Sequence, residues 1–341
     1  MVTSFTSCLQ QLGEFGCLIN MRQIRVLAML GILMQAWSLT GQQLDGAALA
    51  PEPVNPNAVA ILRWYRANVT AAFAVGKGPG GVVFDGSSIW VSSFDNVVTK
   101  LRASDGAKLG SFGPLQSPSG MAFDGAHIWI AEQSRSSVTK MLASDGTIVG
   151  TFAVGFSPIA VAFDGANIWV ANDGSNNVTK LRASDGAALG TFNVGFAPQG
   201  IAFDGVNIWV ANAGDSTITK LRAADGKIIG TFTAGVGPVA LAFDGANMWI
   251  SNQGSNDVTK MRASDGAVIG SFPVGSLPQA VVFDGANIWV TNFSSNSVTK
   301  LRANDGALLG TFPVGTFPEG AAFDGANIWV ANAGSNTVSK R

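Results

Sequence analysis

Ala162-Phe163-Asp164-Gly165-Ala166-Asn167-Ile168-Trp169-Val170-Ala171-Asn172 decides how this chain folds, because the chain repeats it. The Phe-Asp-Gly step returns with its phenylalanine at Phe84, Phe123, Phe163, Phe203, Phe243, Phe283 and Phe323, a spacing of 40 residues with one interval of 39. A fixed period of that length marks an array whose units bury their apolar faces against one another. Such an array escapes the size limit of a single hydrophobic core, which 341 residues would exceed.

Working outward through residues 159–198 shows what one unit contains. Ala160-Val161-Ala162-Phe163 is a short apolar run ending at Asp164-Gly165, a strong hairpin-turn pair. In the next run Ile168 and Val170 face one way and Trp169 and Ala171 the other. Asp173-Gly174-Ser175-Asn176 turns the chain again into Val178-Thr179-Lys180-Leu181-Arg182. Asp185-Gly186 makes a third turn, and Leu189-Gly190-Thr191-Phe192-Asn193-Val194-Gly195 is a fourth run. No stretch between residues 70 and 341 has the 3.6 period of an amphipathic helix.

Four short strands per unit, repeated seven times, predict an all-β fold, a seven-bladed β-propeller over residues 69–341. Strands apolar on both faces need cover on both sides, and flanking blades supply it. Trp90, Trp129, Trp169, Trp209, Trp249, Trp289 and Trp329 fall once per unit, as do Phe73, Phe112, Phe152, Phe192, Phe232, Phe272 and Phe312. Locked to the repeat in this way, they read as packing between blades and not as a carbohydrate platform. The last unit stops after its third strand, while Thr70-Ala71-Ala72-Phe73-Ala74-Val75-Gly76 matches a fourth strand with no unit of its own. The N-terminal strand is therefore expected to complete the last blade and close the ring.

The run Ser175-Asn176-Asn177-Val178-Thr179, the step Val194-Gly195-Phe196-Ala197-Pro198 and the strand ending Ile208-Trp209-Val210-Ala211-Asn212 resemble the repeat of YVTN-family propellers. The Tyr-Val-Thr-Asn of that family becomes Trp-Val-Ala-Asn here, and Trp-Val-Thr-Asn at Trp289 to Asn292. The resemblance covers about residues 70–341 and implies a bacterial or archaeal exported propeller, often without a known activity. Related virginiamycin B lyases use histidines and a metal. This chain has one histidine, His127, in a slot where other units carry Asn, so that activity is not carried over.

The N-terminal 38 residues read as a leader. Met21-Arg22-Gln23-Ile24-Arg25 is a short basic start, residues 26–37 are apolar except at Gly31 and Gln35, and Ala36-Trp37-Ser38 offers a small-x-small cleavage pattern. This is the build of a secretory signal peptide, too short to span a bilayer. Translation is expected to start at Met21, and the mature chain near residue 39, secreted, periplasmic or on the cell surface. Cys8 and Cys17 both precede that point. Residues 39–68 have linker composition, with residues 57–66 forming either a short helix or an extended strap.

Composition limits function. A net charge of −1, with Lys and Arg spaced one repeat apart, implies no attraction to nucleic acid. Those Lys and Arg residues read as solvated or Asp-paired. One histidine leaves little for a triad, and no Cys/His zinc site fits within the repeats. The Asp-Gly steps read as turns, since each offers a single carboxylate and a calcium loop needs at least six converging oxygens.

Antiparallel order puts the one–two and three–four turns at one end of the ring, and the two–three turns and links at the other. The first end is nearly uniform, and the second varies, through Phe94-Asp95, Glu132-Gln133-Ser134-Arg135, Asp173, Asp215, Asp257 and Phe293. After the link proline come Gln199, Gln279 and Glu319 in some units, but Ile159 and Val239 in others. Binding residues favour loops held by a rigid scaffold. The expected site is thus the varied end, with Glu132, Arg135, Gln199, Gln279 and Glu319 as ligand-binding candidates. The expected molecule is a monomeric, non-enzymatic binding scaffold for a protein, peptide or carbohydrate, with no cofactor, metal or membrane span. The alternative is a lyase or hydrolase with a metal held by carboxylates from Glu132, Asp173, Asp215 and Glu319.

Overall fold

The computed structural model describes residues 71–341, so the expected leader, linker and helix or strap lie outside the described residues. Strands β1 (Ala71–Ala74) to β28 (Thr337–Lys340) form seven four-stranded antiparallel sheets. Six are consecutive, as in β10 (Pro158–Phe163), β11 (Asn167–Asn172), β12 (Asn177–Arg182) and β13 (Ala188–Asn193). The seventh joins β26 (Pro318–Phe323), β27 (Ile328–Asn332) and β28 to β1, with Phe73 opposite Val338. Neighbouring innermost strands touch all the way round, and the contact of β2 (Pro79–Phe84) with β26 closes the circle. The chain is a seven-bladed β-propeller, closed by its N-terminal strand as the repeat register predicts.

The core lies between the blades. Trp129, Ala131 and Val138 of blade 2 pack on Val161, Ile168, Val170 and Leu181 of blade 3, and equivalent clusters recur around the ring. Alternation along strand two is the cause, since each face of the sheet meets a different neighbour. Each tryptophan also tilts against the fourth-strand phenylalanine of its own blade, centroids 5.5 Å apart for Trp169 and Phe192.

Two polar devices support this apolar stack. The Phe-Asp-Gly aspartate does more than turn the chain: Asp164 accepts the Trp169 indole N–H at 2.8 Å and the backbone N–H groups of Ala166 and Asn167 at 2.9 and 2.6 Å. Burial works against its charge, but these donors outweigh burial and hold the carboxyl below the ordinary Asp range. His127 takes the place of Asn167 beside its own Asp124, with Nδ1 3.2 Å from the carboxylate.

The lysines correct the expectation of solvated or Asp-paired charges. Lys180 sits opposite Trp169 across the strands, its Nζ 5.0 Å from the indole centroid. There it donates to the carbonyls of Ala223 and Ala224 in the next blade, at 2.6 and 3.1 Å. Only 7% of Lys180 is exposed, so it is a latch between blades. The arginines behave as expected, pairing with aspartates three residues on, as Arg182 does with Asp185 at 2.9 Å.

Candidate functional site

The innermost strand of each blade starts with a link proline, and the register slips just after it. In blade 3, Pro158 pairs with Asn172 and Ala160 with Ala171, which leaves Ile159 as an extra residue. Gln199 and Val239 are extra residues in the same way in their blades. In blades 6 and 7 the slips span Gln279-Ala280 and Glu319-Gly320. Such bulges bend a strand and re-aim a side chain. Here they send one residue per blade, Gly80, Ser119, Ile159, Gln199, Val239, Gln279 and Glu319, to a cavity of about 320 Å³ at the axis.

Phe94 and Gln133, from two–three turns, also line this mouth, so turns and links do share one end. Below it the next residues of the inner strands are all Gly or Ala, because the strands approach closely. A Cβ on Gly320 would lie 2.2 Å from the carbonyl oxygen of Gly80.

Side-chain hydroxyls fix part of the ring. Thr291 accepts the Ala280 N–H at 2.8 Å and donates to the Glu319 carbonyl at 2.6 Å, so it ties the bulges of blades 6 and 7 together. Ser251 donates to the Gln279 carbonyl at 2.6 Å and Ser92 to that of Ser119 at 2.7 Å. The links are clamped too. Leu277 and Phe317, which precede link prolines, have left-handed backbones, and their N–H groups are held by Asn256 and Asn296 of the preceding blade at 2.8 and 2.9 Å.

Among the described residues, Glu319 is the one charged side chain lining the mouth. A Cβ on Gly80 would stand 3.1 Å from its Oε2, so the absence of a side chain there makes room for the carboxylate. Burial pushes its pKa up to about 7. Asp95 and Lys77, the charged groups on the turn and link of the neighbouring blade 1, do not line the cavity.

Of the five residues singled out by sequence, Gln199, Gln279 and Glu319 come together here. Glu132 and Arg135 do not. Glu132 is the last residue of β7 (His127–Glu132) and is fully buried, in the register position held by Asn172, Asn212, Asn252, Asn292 and Asn332 in other blades. One carboxylate oxygen accepts the hydroxyl of Thr139 and the other accepts the N–H of Gln116 at 2.7 Å. Asn292 does the same work, donating to Thr299 at 2.9 Å and accepting from Gly275 at 3.0 Å. Glu132 is a link clamp, which corrects its reading as a loop ligand. Arg135 is half exposed and, among the described residues, reaches only Glu132, at 3.9 Å. Ser119, Ile159, Val239 and Gly80 complete the ring, and their place directly after a proline is the signal that finds them.

The metal alternative needs acids that converge. Among the described residues no three His, Cys, Asp or Glu side chains come together as a metal-binding group. Among the same residues, no helix is long and apolar enough to cross a membrane.

No protein-family profile matches the chain, and no curated protein matches it by sequence. Solved structures do. The hydrazine synthase of Kuenenia stuttgartiensis superposes with a TM-score of 0.68 at 18% identity, over 77% of this chain and 95% of the other. A streptogramin B lyase superposes with a TM-score of 0.69 at 18% identity, over 80% of this chain and 96% of the other. Likeness at this identity is a likeness of fold. Both are enzymes by name, and a propeller scaffold carries many chemistries.

Proposed function

We propose that this chain is an exported, monomeric binding module whose ligand site is the axial mouth at the loop-variable end, and that it belongs with the YVTN-type repeat propellers. The bulge ring carries the reading. It is the place where a repeat otherwise nearly uniform varies its residue from blade to blade, with only glutamine used twice, and aims the set at one cavity. Four hydrogen-bonding side chains (Ser119, Gln133, Gln199 and Gln279), one carboxyl group and apolar walls from Ile159, Val239 and Phe94 suit a small polar ligand with an apolar part. The basic start and apolar run at residues 21–37 support export, and Trp-Val-Thr-Asn at 289–292 supports the repeat type.

A fragment screen by ligand-observed NMR tests the site, run on the full chain and on Ile159→Trp, which fills the mouth. Hits that bind the variant as well as the parent would place the site elsewhere.

A further inference from the structure

We infer that the mouth selects a small organic ammonium ion, seated on the Glu319 carboxylate with its apolar part against Phe94 and Ile159. The inference rests on the mouth being the ligand site and adds the class of ligand.

Charge comes first. Glu319 is the sole ionisable group among the described lining residues, and its strand β26 packs against β2, β27, β22 (Pro278–Phe283) and β23 (Asn287–Asn292), none of which bears an ionisable side chain. The carboxyl is thus partly removed from water with no cation supplied by the described residues, and its raised pKa follows from burial alone. A ligand that brings one positive charge supplies the missing partner. An anionic ligand would add repulsion, and a neutral one would leave the carboxylate uncompensated.

The other groups fit the same ligand. Gln199 and Gln279 offer carboxamide oxygens that accept N–H donors, and Ser119 has a hydroxyl at the rim. Phe94, 55% exposed, presents an aromatic ring to the cavity, a surface that attracts cations as well as apolar groups. Thr291 and Ser251 hold the backbone beneath Glu319 and Gln279, so the main chain that carries the carboxylate and one carboxamide is fixed in advance of binding. Gly80 leaves the space beside Glu319 that an ammonium would enter.

The test uses the full chain and three probes of one shape: benzylamine as its ammonium ion, benzyl alcohol and benzoate, each titrated by calorimetry. Benzylamine is expected to bind at least tenfold more tightly than benzyl alcohol, and benzoate not at all. Binding must deprotonate Glu319 at low pH, so benzylamine affinity should rise about tenfold between pH 6 and pH 8, with proton release. Glu319→Gln, a near-isosteric change, should remove both the preference and the pH dependence. Nα-acetyl-lysine amide, compared with n-butylamine, tells a peptide lysine from a free amine, and tighter binding of either supports an ammonium site.

Equal affinity for benzylamine and benzyl alcohol, both lost in Ile159→Trp, would overturn the ammonium class while leaving the mouth as the site. Benzylamine binding unchanged in Ile159→Trp would overturn the mouth itself. Binding unchanged in a folded Glu319→Gln protein, or no saturable benzylamine binding at millimolar concentration, would also overturn the inference.

Discussion

Lys340 donates a hydrogen bond from its ammonium group to the carbonyl oxygen of Ala103, at 2.7 Å and across 237 positions of sequence. The same bond joins Lys140 to Ala183 and Lys180 to Ala223, each pair 43 positions apart. Other contacts repeat at the seam: Asn336 accepts the Gly78 N–H at 2.9 Å, and Phe73 and Trp329 join the cluster that covers Val91 and Leu101. The junction between the last blade and the first is thus built from the same parts as the junctions within the array.

Closure predicts a sharp boundary for truncation. Deleting residues 1–56 leaves β1 in place and should melt like the full chain. Deleting residues 1–76 removes β1 and Phe73, whose ring lies 5.5 Å from that of Trp329. Loss of a large packed aromatic costs about 3–5 kcal/mol, before counting the exposed edge of β28. The longer deletion should aggregate or melt far lower, as read by circular dichroism. Equal melting temperatures would contradict the role given to β1.

The seven Phe-Asp-Gly aspartates should make the ring acid-sensitive. Their folded pKa values lie below the ordinary Asp value, so the stability they add is present above about pH 4 and is lost as pH falls through the folded values. Asp204→Asn keeps one acceptor oxygen where two are used, by Asn207 N–H at 2.6 Å and the Trp209 indole at 2.7 Å. One buried donor is left unpaired, at a cost of about 1–3 kcal/mol. Near neutral pH the variant should melt lower, and the gap should narrow as the parent's aspartates become protonated. A gap that widens below about pH 4 would contradict this assignment.

Most of the fold was legible because its signals are local and repeated. Asp-Gly turns mark the strand ends, and the alternation of Ile168, Trp169 and Val170 shows two covered faces. The spacing of Phe73 from Phe84 equals that of Phe192 from Phe203, and this assigns β1 to the last blade. Gln199, Gln279 and Glu319 were legible as candidates from their offset after a proline. The bulge that aims them was not, because two residues facing one across a sheet is a fact of pairing between strands. Glu132 misled because a carboxylate near a turn looks exposed, although its register with Asn172 and Asn292 placed it at a buried strand end. Lys180 misled in the same way: its pairing opposite Trp169, with a carbonyl waiting in the next blade, is tertiary.

Glu132 should therefore be replaceable by an amide. Glu132→Gln keeps an oxygen for the Gln116 N–H and offers N–H to the Thr139 hydroxyl, the pattern Asn292 already uses. It should melt within a few degrees of the parent. Glu132→Ala leaves buried partners unsatisfied and a small void, at a cost of about 2–4 kcal/mol. Neither change should alter ligand binding at the mouth. Loss of binding in a stably folded Glu132→Gln protein would return this residue to the site.

Export is tested apart from the fold. Expressed in a bacterial host with residues 21–341 intact, the protein should be recovered from the periplasm or medium with its N-terminus near residue 39. N-terminal sequencing reads this directly, and exported protein that retains Met21 would contradict cleavage.

Glu319 should cost the ring stability at neutral and alkaline pH. Its folded pKa of about 7 lies above the ordinary 4.5, so the ionised form is the disfavoured one in the folded state. Stability is full below the ordinary value, falls as pH rises from there towards about 7, and is level above it. The full shift bounds the loss at about 3 kcal/mol, and partial exposure to water brings it to roughly 1–2 kcal/mol. Glu319→Gln should thus melt a few degrees above the parent near pH 8 and coincide with it near pH 4.5, where the aspartates affect both proteins alike. Benzylamine added near pH 8 should raise the parent's melting temperature and leave the variant's unchanged, because only the parent has a carboxylate to neutralise. A melting difference that is constant with pH, or absent near pH 8, would show that the carboxylate is well solvated in the folded ring.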